Sequence, residues 1–131
     1  VILEMSKLKI NPSNSKIGVL GITFKEDCPD VRNTKVPQII NSLKEYGGNL
    51  LVADPYADPK VVKDQYGIEI LKRNKINNCD VLIIAVPHKE YLNFSTTDIE
   101  IMVKSNALII DIKSILDPSI FKEKKLSYWR L

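Results

Sequence analysis

From Lys16 onward, short apolar runs alternate with amphipathic stretches. Ile17-Gly18-Val19-Leu20-Gly21-Ile22 is continuously apolar, as a strand covered on both faces of a parallel sheet must be. A polar stretch from Thr23 to Asn33 follows. Thr34 can then cap a helix, and Pro37 fits its first turn, where a missing amide donor has no intrahelical partner. Ile39, Ile40, Leu43 and Tyr46 recur at helical spacing, and Gly47-Gly48 stops the helix. Leu50 to Ala53 is a second strand, closed by Asp54-Pro55. Pro59 to Tyr66 reads as a short helix, Ile68 to Ile70 as a short strand, and Asn74 to Asn78 as a further helical turn. Val81 to Val86 is a strand, and Ser95 or Thr97 can cap a helix containing Ile99, Met102 and Val103. Ala107 to Asp111 is another buried strand. Asp117-Pro118 opens a final helix, and Leu126 to Trp129 forms an edge strand.

This alternation predicts an α/β fold: a doubly wound, mostly parallel, Rossmann-like sheet in a three-layer α/β/α sandwich, with right-handed crossovers. Residues 1–15 read as the end of a preceding helix and a linker, broken by Asn11-Pro12-Ser13-Asn14-Ser15, and the domain proper spans 16–131. A start at Val1 fits a piece cut from something longer.

At 131 residues, 44% hydrophobic and 27% charged, the chain has the make-up of one globular domain able to bury a core without staples. Apolar runs such as Val81 to Ala85 fall far short of the ~20 residues needed to cross a bilayer, so no membrane span is expected. The net charge of +3 is spread through Lys–Glu mixtures rather than gathered on a basic face with interleaved aromatics, which argues against nucleic acid. Cys28 and Cys79 lack metal-ligand spacing and His88 is the one histidine, so no metal site is expected and the compartment reads as reducing cytoplasm.

Ligands of such sheets bind beyond the carboxyl ends of the strands. The loop from Thr23 to Asn33 is long against the usual ~2–6 residues of a strand-to-helix turn, and it carries Lys25, Arg32 and three acids. Lys25 can meet a phosphate as a point charge and Arg32 can fork onto a phosphate or carboxylate. The alternative is an internal Asp30–Arg32 or Asp27–Arg32 pair that only pins the loop. Lys113, after the Ala107 to Asp111 strand, faces the same edge as Lys25. The first strand holds Gly18-x-x-Gly21 rather than Gly-x-Gly-x-x-Gly, so the dinucleotide-binding fold is incomplete. Asp54 stands where an acid would take a ribose hydroxyl, but Asp-Pro also ends a strand well. Cys28 has no histidine base beside it in the sequence and reads as packing, as do Tyr46, Tyr66 and Phe121 on helix faces and Trp129 in core or interface; His88 reads as an exposed loop residue.

The run from Gly18 to Lys35, with Thr23-Phe24-Lys25 and Asp30-Val31-Arg32-Asn33-Thr34, resembles the signature opening the C-terminal domain of the UDP-glucose/GDP-mannose dehydrogenase family. Asp54-Pro55-Tyr56 looks like its "YDP" element, and the later strands match its last two, so that the resemblance covers 16–131. The Cys28-Pro29-Asp30 variant is most similar to the branch oxidising UDP-N-acetylhexosamines for capsule or O-antigen polysaccharides. The resemblance implies a UDP-sugar-binding domain of an NAD-dependent 6-dehydrogenase that oxidises C6 twice through a catalytic cysteine. NAD is then bound mainly by an N-terminal domain, a central helical region builds a homodimer or larger assembly, and the present chain alone is inactive. Phe24 and Lys25 would contact the nucleotide sugar, Arg32 would reach the cofactor, and Lys113 stands where glucose-specific members carry an arginine. Cys28 does not match the catalytic cysteine, which lies before this domain. The competing expectations are a regulatory or docking α/β domain that binds no nucleotide, and a free-standing NAD-binding protein.

Overall fold

In the computed structural model, which describes residues 1–131, the apolar runs pair into one six-stranded sheet. The strands are β1 (Lys16–Leu20), β2 (Asn49–Ala53), β3 (Ile70–Leu71), β4 (Cys79–Ile84), β5 (Val103–Asp111) and β6 (Ser127–Arg130). Their order is β3-β2-β1-β4-β5-β6, and every neighbouring pair is parallel. The helices are α1 (Ile2–Lys7), α2 (Val36–Glu45), α3 (Pro59–Tyr66), α4 (Lys89–Leu92) and α5 (Thr96–Glu100).

Alternation within each strand sends side chains to opposite faces. Ile17, Val19, Val81, Ile83, Leu108 and Ile110 join one core layer with Ile40 and Leu43 of α2 and Val62 of α3. Leu20, Leu82, Ile84 and Ile109 join the other, with Tyr91 of α4 and Ile99 of α5. Burying both faces is why the strands read as continuous rather than alternating apolar runs. Met5 of α1 is fully buried in the first layer.

Several elements differ from the sequence pattern, among them the turn expected at Asn74 to Asn78, which is a 3₁₀ turn at Arg73–Lys75. The expected helix through Met102 and Val103 stops at Glu100, because the Cys79 amide donates to the Met102 carbonyl (3.1 Å) and Val103 pairs with Cys79 in the sheet. Strand pairing outweighs helical periodicity there. The expected final helix is a single 3₁₀ turn, Pro118–Phe121, capped by the Asp117 carboxylate on the Ser119 amide (2.9 Å). Phe121 turns inward to stack on Tyr128 (4.6 Å between centroids), and the chain must return at once to lay β6 beside β5. The expected strand at 68–70 shifts to Ile70–Leu71, and Ile68 is buried instead in the core.

Candidate functional site

Between β1 and β4 the winding reverses, so the loops leaving their carboxyl ends diverge and open a crevice. Gly21 lets the two ends close at its base. It has φ +94°, and a Cβ there would lie 2.6 Å from the Val86 Cβ and 2.9 Å from the Val86 amide nitrogen. No other side chain fits.

The loop after β1 lines a cleft of about 390 Å³ together with the segments after β4 and β5. Phe24, Lys25, Lys35, Pro87, Ile112 and Lys113 are among its walls. Phe24 is 56% exposed, an apolar residue left open at the mouth. Neither Lys25 nor Lys113 is paired with a carboxylate. Two free ammonium groups beside an exposed ring can neutralise an anion whose remainder is planar or apolar. Lys35, at the N-cap of α2, brings a third cation that the sequence pattern did not single out, although it follows Thr34 in the long motif.

Arg32 stands apart from the cleft. Its Nε and Nη2 fork onto Asp30 (3.1 and 3.2 Å), and the guanidinium holds the Asp30 carboxyl below the ordinary carboxylate value. Of the two ion pairs weighed from sequence, this one forms. Asp27 instead accepts from the Lys89 amide (2.8 Å).

The expectation of an exposed His88 is corrected: the side chain is fully buried. Its Nε2 lies 2.9 Å from Asp54 Oδ2 and 3.2 Å from Thr23 Oγ1, and its Nδ1 accepts from the Asp27 amide (3.0 Å). Nδ1 must offer a lone pair to that amide, so the ring proton sits on Nε2. The ring packs between Tyr56 (4.8 Å) and Tyr91 (5.6 Å). The residues that needed His88 lie far away in sequence, and only strand order brings them together.

Asp54 ends β2 as expected and does more. Oδ2 accepts from the amides of Ile22 (2.7 Å) and Thr23 (3.3 Å), Oδ1 from those of Tyr56 (2.7 Å) and Ala57 (3.0 Å). Burial opposes ionisation of this carboxyl, but hydrogen bonds from His88 and the Ile22 and Tyr56 amides outweigh it and keep its pKa below the ordinary value. Nearby, the Tyr56 hydroxyl donates to Glu90 (2.7 Å), and that bond pushes the phenol up to about 12.

The same geometry decides how a dinucleotide would fare on this chain. With both Asp54 oxygens engaged by the protein, no acceptor remains for a ribose hydroxyl, and the long loop occupies the place of the tight phosphate turn. The residues present do not fit an NAD site of their own. Cys28 is half-buried and Cys79 buried, where desolvation raises its thiol to about 11.

Residues 18–118 match the family model described as UDP-glucose/GDP-mannose dehydrogenase family, UDP binding domain. The chain is 39% identical over 131 residues to the protein CapL of Staphylococcus aureus, covering 100% of itself and 30% of that protein. It is 34% identical over 116 residues to a UDP-N-acetyl-D-glucosamine 6-dehydrogenase of Salmonella typhi, covering 88% of itself and 27% of the relative. Its fold is that of part of an NDP-N-acetyl-D-galactosaminuronic acid dehydrogenase from Methanosarcina mazei, with a TM-score of 0.87 at 24% identity, over 98% of this chain and 27% of that one. The chain thus spans less than a third of these proteins.

Proposed function

The chain belongs to the UDP-glucose/GDP-mannose dehydrogenase family, in its UDP-binding domain, and on that premise we propose that it grips the UDP moiety of a nucleotide sugar in the cleft between Phe24, Lys25 and Lys113. The observation that carries this is the pair of unpaired lysines facing one cleft beside an exposed aromatic ring. Lys25 and Lys113 act as point charges on the diphosphate, and Phe24 supplies an apolar wall against base or sugar. Lysine at 113 keeps the charge without the bidentate fork of an arginine.

The longer protein is then a two-step dehydrogenase acting at C6 of a UDP-N-acetylhexosamine or UDP-glucose, in the cytoplasm and serving surface polysaccharide synthesis. Residues 16–131 form its substrate jaw, and 1–15 lead in from a preceding helix. NAD would be carried by another domain, consistent with the engaged Asp54, and Arg32 would leave Asp30 to reach it across the closed cleft. By itself the jaw binds and does not oxidise. The Arg32–Asp30 pair favours the docking reading at that one residue, but shared lining of the cleft by Lys25 and Lys113 speaks for a ligand.

The test is a titration of UDP, UMP and uridine, followed by the amide resonances of this chain. Affinity should fall in that order as phosphates are removed. Lys25→Ala should weaken UDP by about ten- to a hundredfold, the loss of one charge-assisted hydrogen bond worth ~1.5–3 kcal/mol. Equal binding of UDP to the variant and the parent would refute the assignment.

A further inference from the structure

Phe24, Lys25 and Glu26 form an arch whose two feet are Thr23 and Asp27. Both feet stand on one buried imidazole: His88 Nε2 lies 3.2 Å from Thr23 Oγ1, and His88 Nδ1 accepts the Asp27 amide at 3.0 Å. The hydroxyl of Thr23 has one proton, which it gives to the Lys25 carbonyl (2.9 Å) inside the arch. Nε2–H is therefore the donor shared between Thr23 Oγ1 and Asp54 Oδ2. Asp54 is itself fixed by four amides, so the ring is anchored from the sheet side before it touches the arch. Outside this ring, the arch is tied at Thr23, whose amide donates to Asp54 Oδ2 (3.3 Å), at Phe24, whose amide donates to the Asp30 carbonyl (2.7 Å), and at Asp27, whose carboxylate takes the Lys89 amide. Asp27 sits at φ +56°, a left-handed conformation that costs a non-glycine residue about 1 kcal/mol or more and needs such support.

From this juxtaposition we propose that His88 is a positioning residue for the nucleotide site: it holds both feet of the arch and thereby sets where Phe24 and Lys25 stand, without itself reaching the ligand. The inference rests on the reading of the cleft as a UDP site. The groups facing the ring are Asp54 from the end of β2, Thr23 and Asp27 from the loop after β1, and the rings of Tyr56 and Tyr91 packed around it. No lysine or arginine is bonded to it, so its influence on Lys25 is conveyed through the Thr23 hydroxyl and the Asp27 amide rather than direct charge.

His88→Phe keeps a ring between Tyr56 and Tyr91 while deleting both bonds to the arch and the one to Asp54; His88→Gln restores one donor and one acceptor. In the 131-residue chain, backbone ¹⁵N relaxation should show Phe24 to Asp27 becoming mobile in the Phe variant, with the β1 and β4 amides unchanged. UDP affinity should drop by up to about the ten- to hundredfold that losing the Lys25 contact itself costs, and Gln should recover part of it. In a Lys25→Ala background the Phe substitution should cost less affinity than in the parent, because one of the two groups being positioned is gone. An arch that stays ordered in His88→Phe overturns the inference outright. So does a UDP loss equally large with and without Lys25. If instead the arch loosens as expected but Lys25→Ala leaves UDP binding intact, the positioning role stands and the reading of the cleft fails. Should His88→Phe not fold, ring ¹⁵N shifts of the parent decide: a proton on Nδ1 in place of Nε2 excludes the bridge.

Discussion

Tyr91 and Gly21 show how narrowly single residues are constrained here. The Tyr91 hydroxyl is buried without a hydrogen-bond partner, and burial drives its ionisation far above the ordinary phenol range. Its ring does the packing, against His88 and against Phe94 at 5.4 Å. Tyr91→Phe should therefore raise stability by about 1 kcal/mol, since it removes an uncompensated polar group and keeps the ring; a urea midpoint that falls would show that the hydroxyl has a partner in solution. Gly21→Ala should do the opposite. The left-handed backbone and the Val86 amide 2.9 Å from the new methyl leave no relaxed arrangement, and a loss of about 3 kcal/mol or more in chemical denaturation is expected.

Among the elements, α3 and α5 are short helices whose first turns are held by side-chain caps. α5 runs only from Thr96 to Glu100, and a capping box holds its start: Ser95 Oγ accepts from the Asp98 amide (3.2 Å) while Asp98 accepts from the Ser95 amide (2.8 Å). Ser95→Ala should cost about 1 kcal/mol, read as a lowered denaturation midpoint, with UDP binding unchanged because α5 lies away from the cleft. α3 begins on Asp58 and Pro59 and ends on Gly67 at φ +68°, a pattern visible in the sequence, and its observed bounds are the expected ones. α5 was legible only in its first turn. Nothing local marks Glu100 as the end, because the competitor is a strand partner at Cys79.

For the molecule as a whole, Asp54 ties the end of β2 to the loop after β1 and, through His88, to the segment after β4. Its carboxyl has a lower pKa folded than unfolded. Such a group contributes stability that is fully present above the unfolded value of about 3.9 and is lost as pH falls through the lower folded value. Asp80, lowered likewise because bonds from Lys104 and the Lys16 amide outweigh partial burial, acts at the opposite end of the sheet. Unfolding free energy should thus be nearly flat from pH 7 to about 5 as far as these carboxyls go and fall below about pH 4. Asp54→Asn should flatten that acid limb as well as lower stability at neutral pH. An unchanged acid limb would remove Asp54 from the account.

The local pattern of residues was enough to define the layers, the sheet edge on which Lys25 lies, and the family. Runs such as Ile17 to Ile22 must be covered on both sides, and a polar loop with Lys25 after such a run can only lie at the strand ends. The motif from Gly18 to Lys35 is one continuous segment, so nothing but the chain itself was needed to read it. Tertiary structure alone decided the rest. Whether Arg32 would take Asp30 or Asp27, whether His88 would be exposed, and whether Asp54 would be free for a ribose all depend on groups brought together by strand order. Hydrogen-bond partners separated by many tens of residues leave no period or spacing in the sequence. Their geometry exists only once β1, β2 and β4 lie side by side.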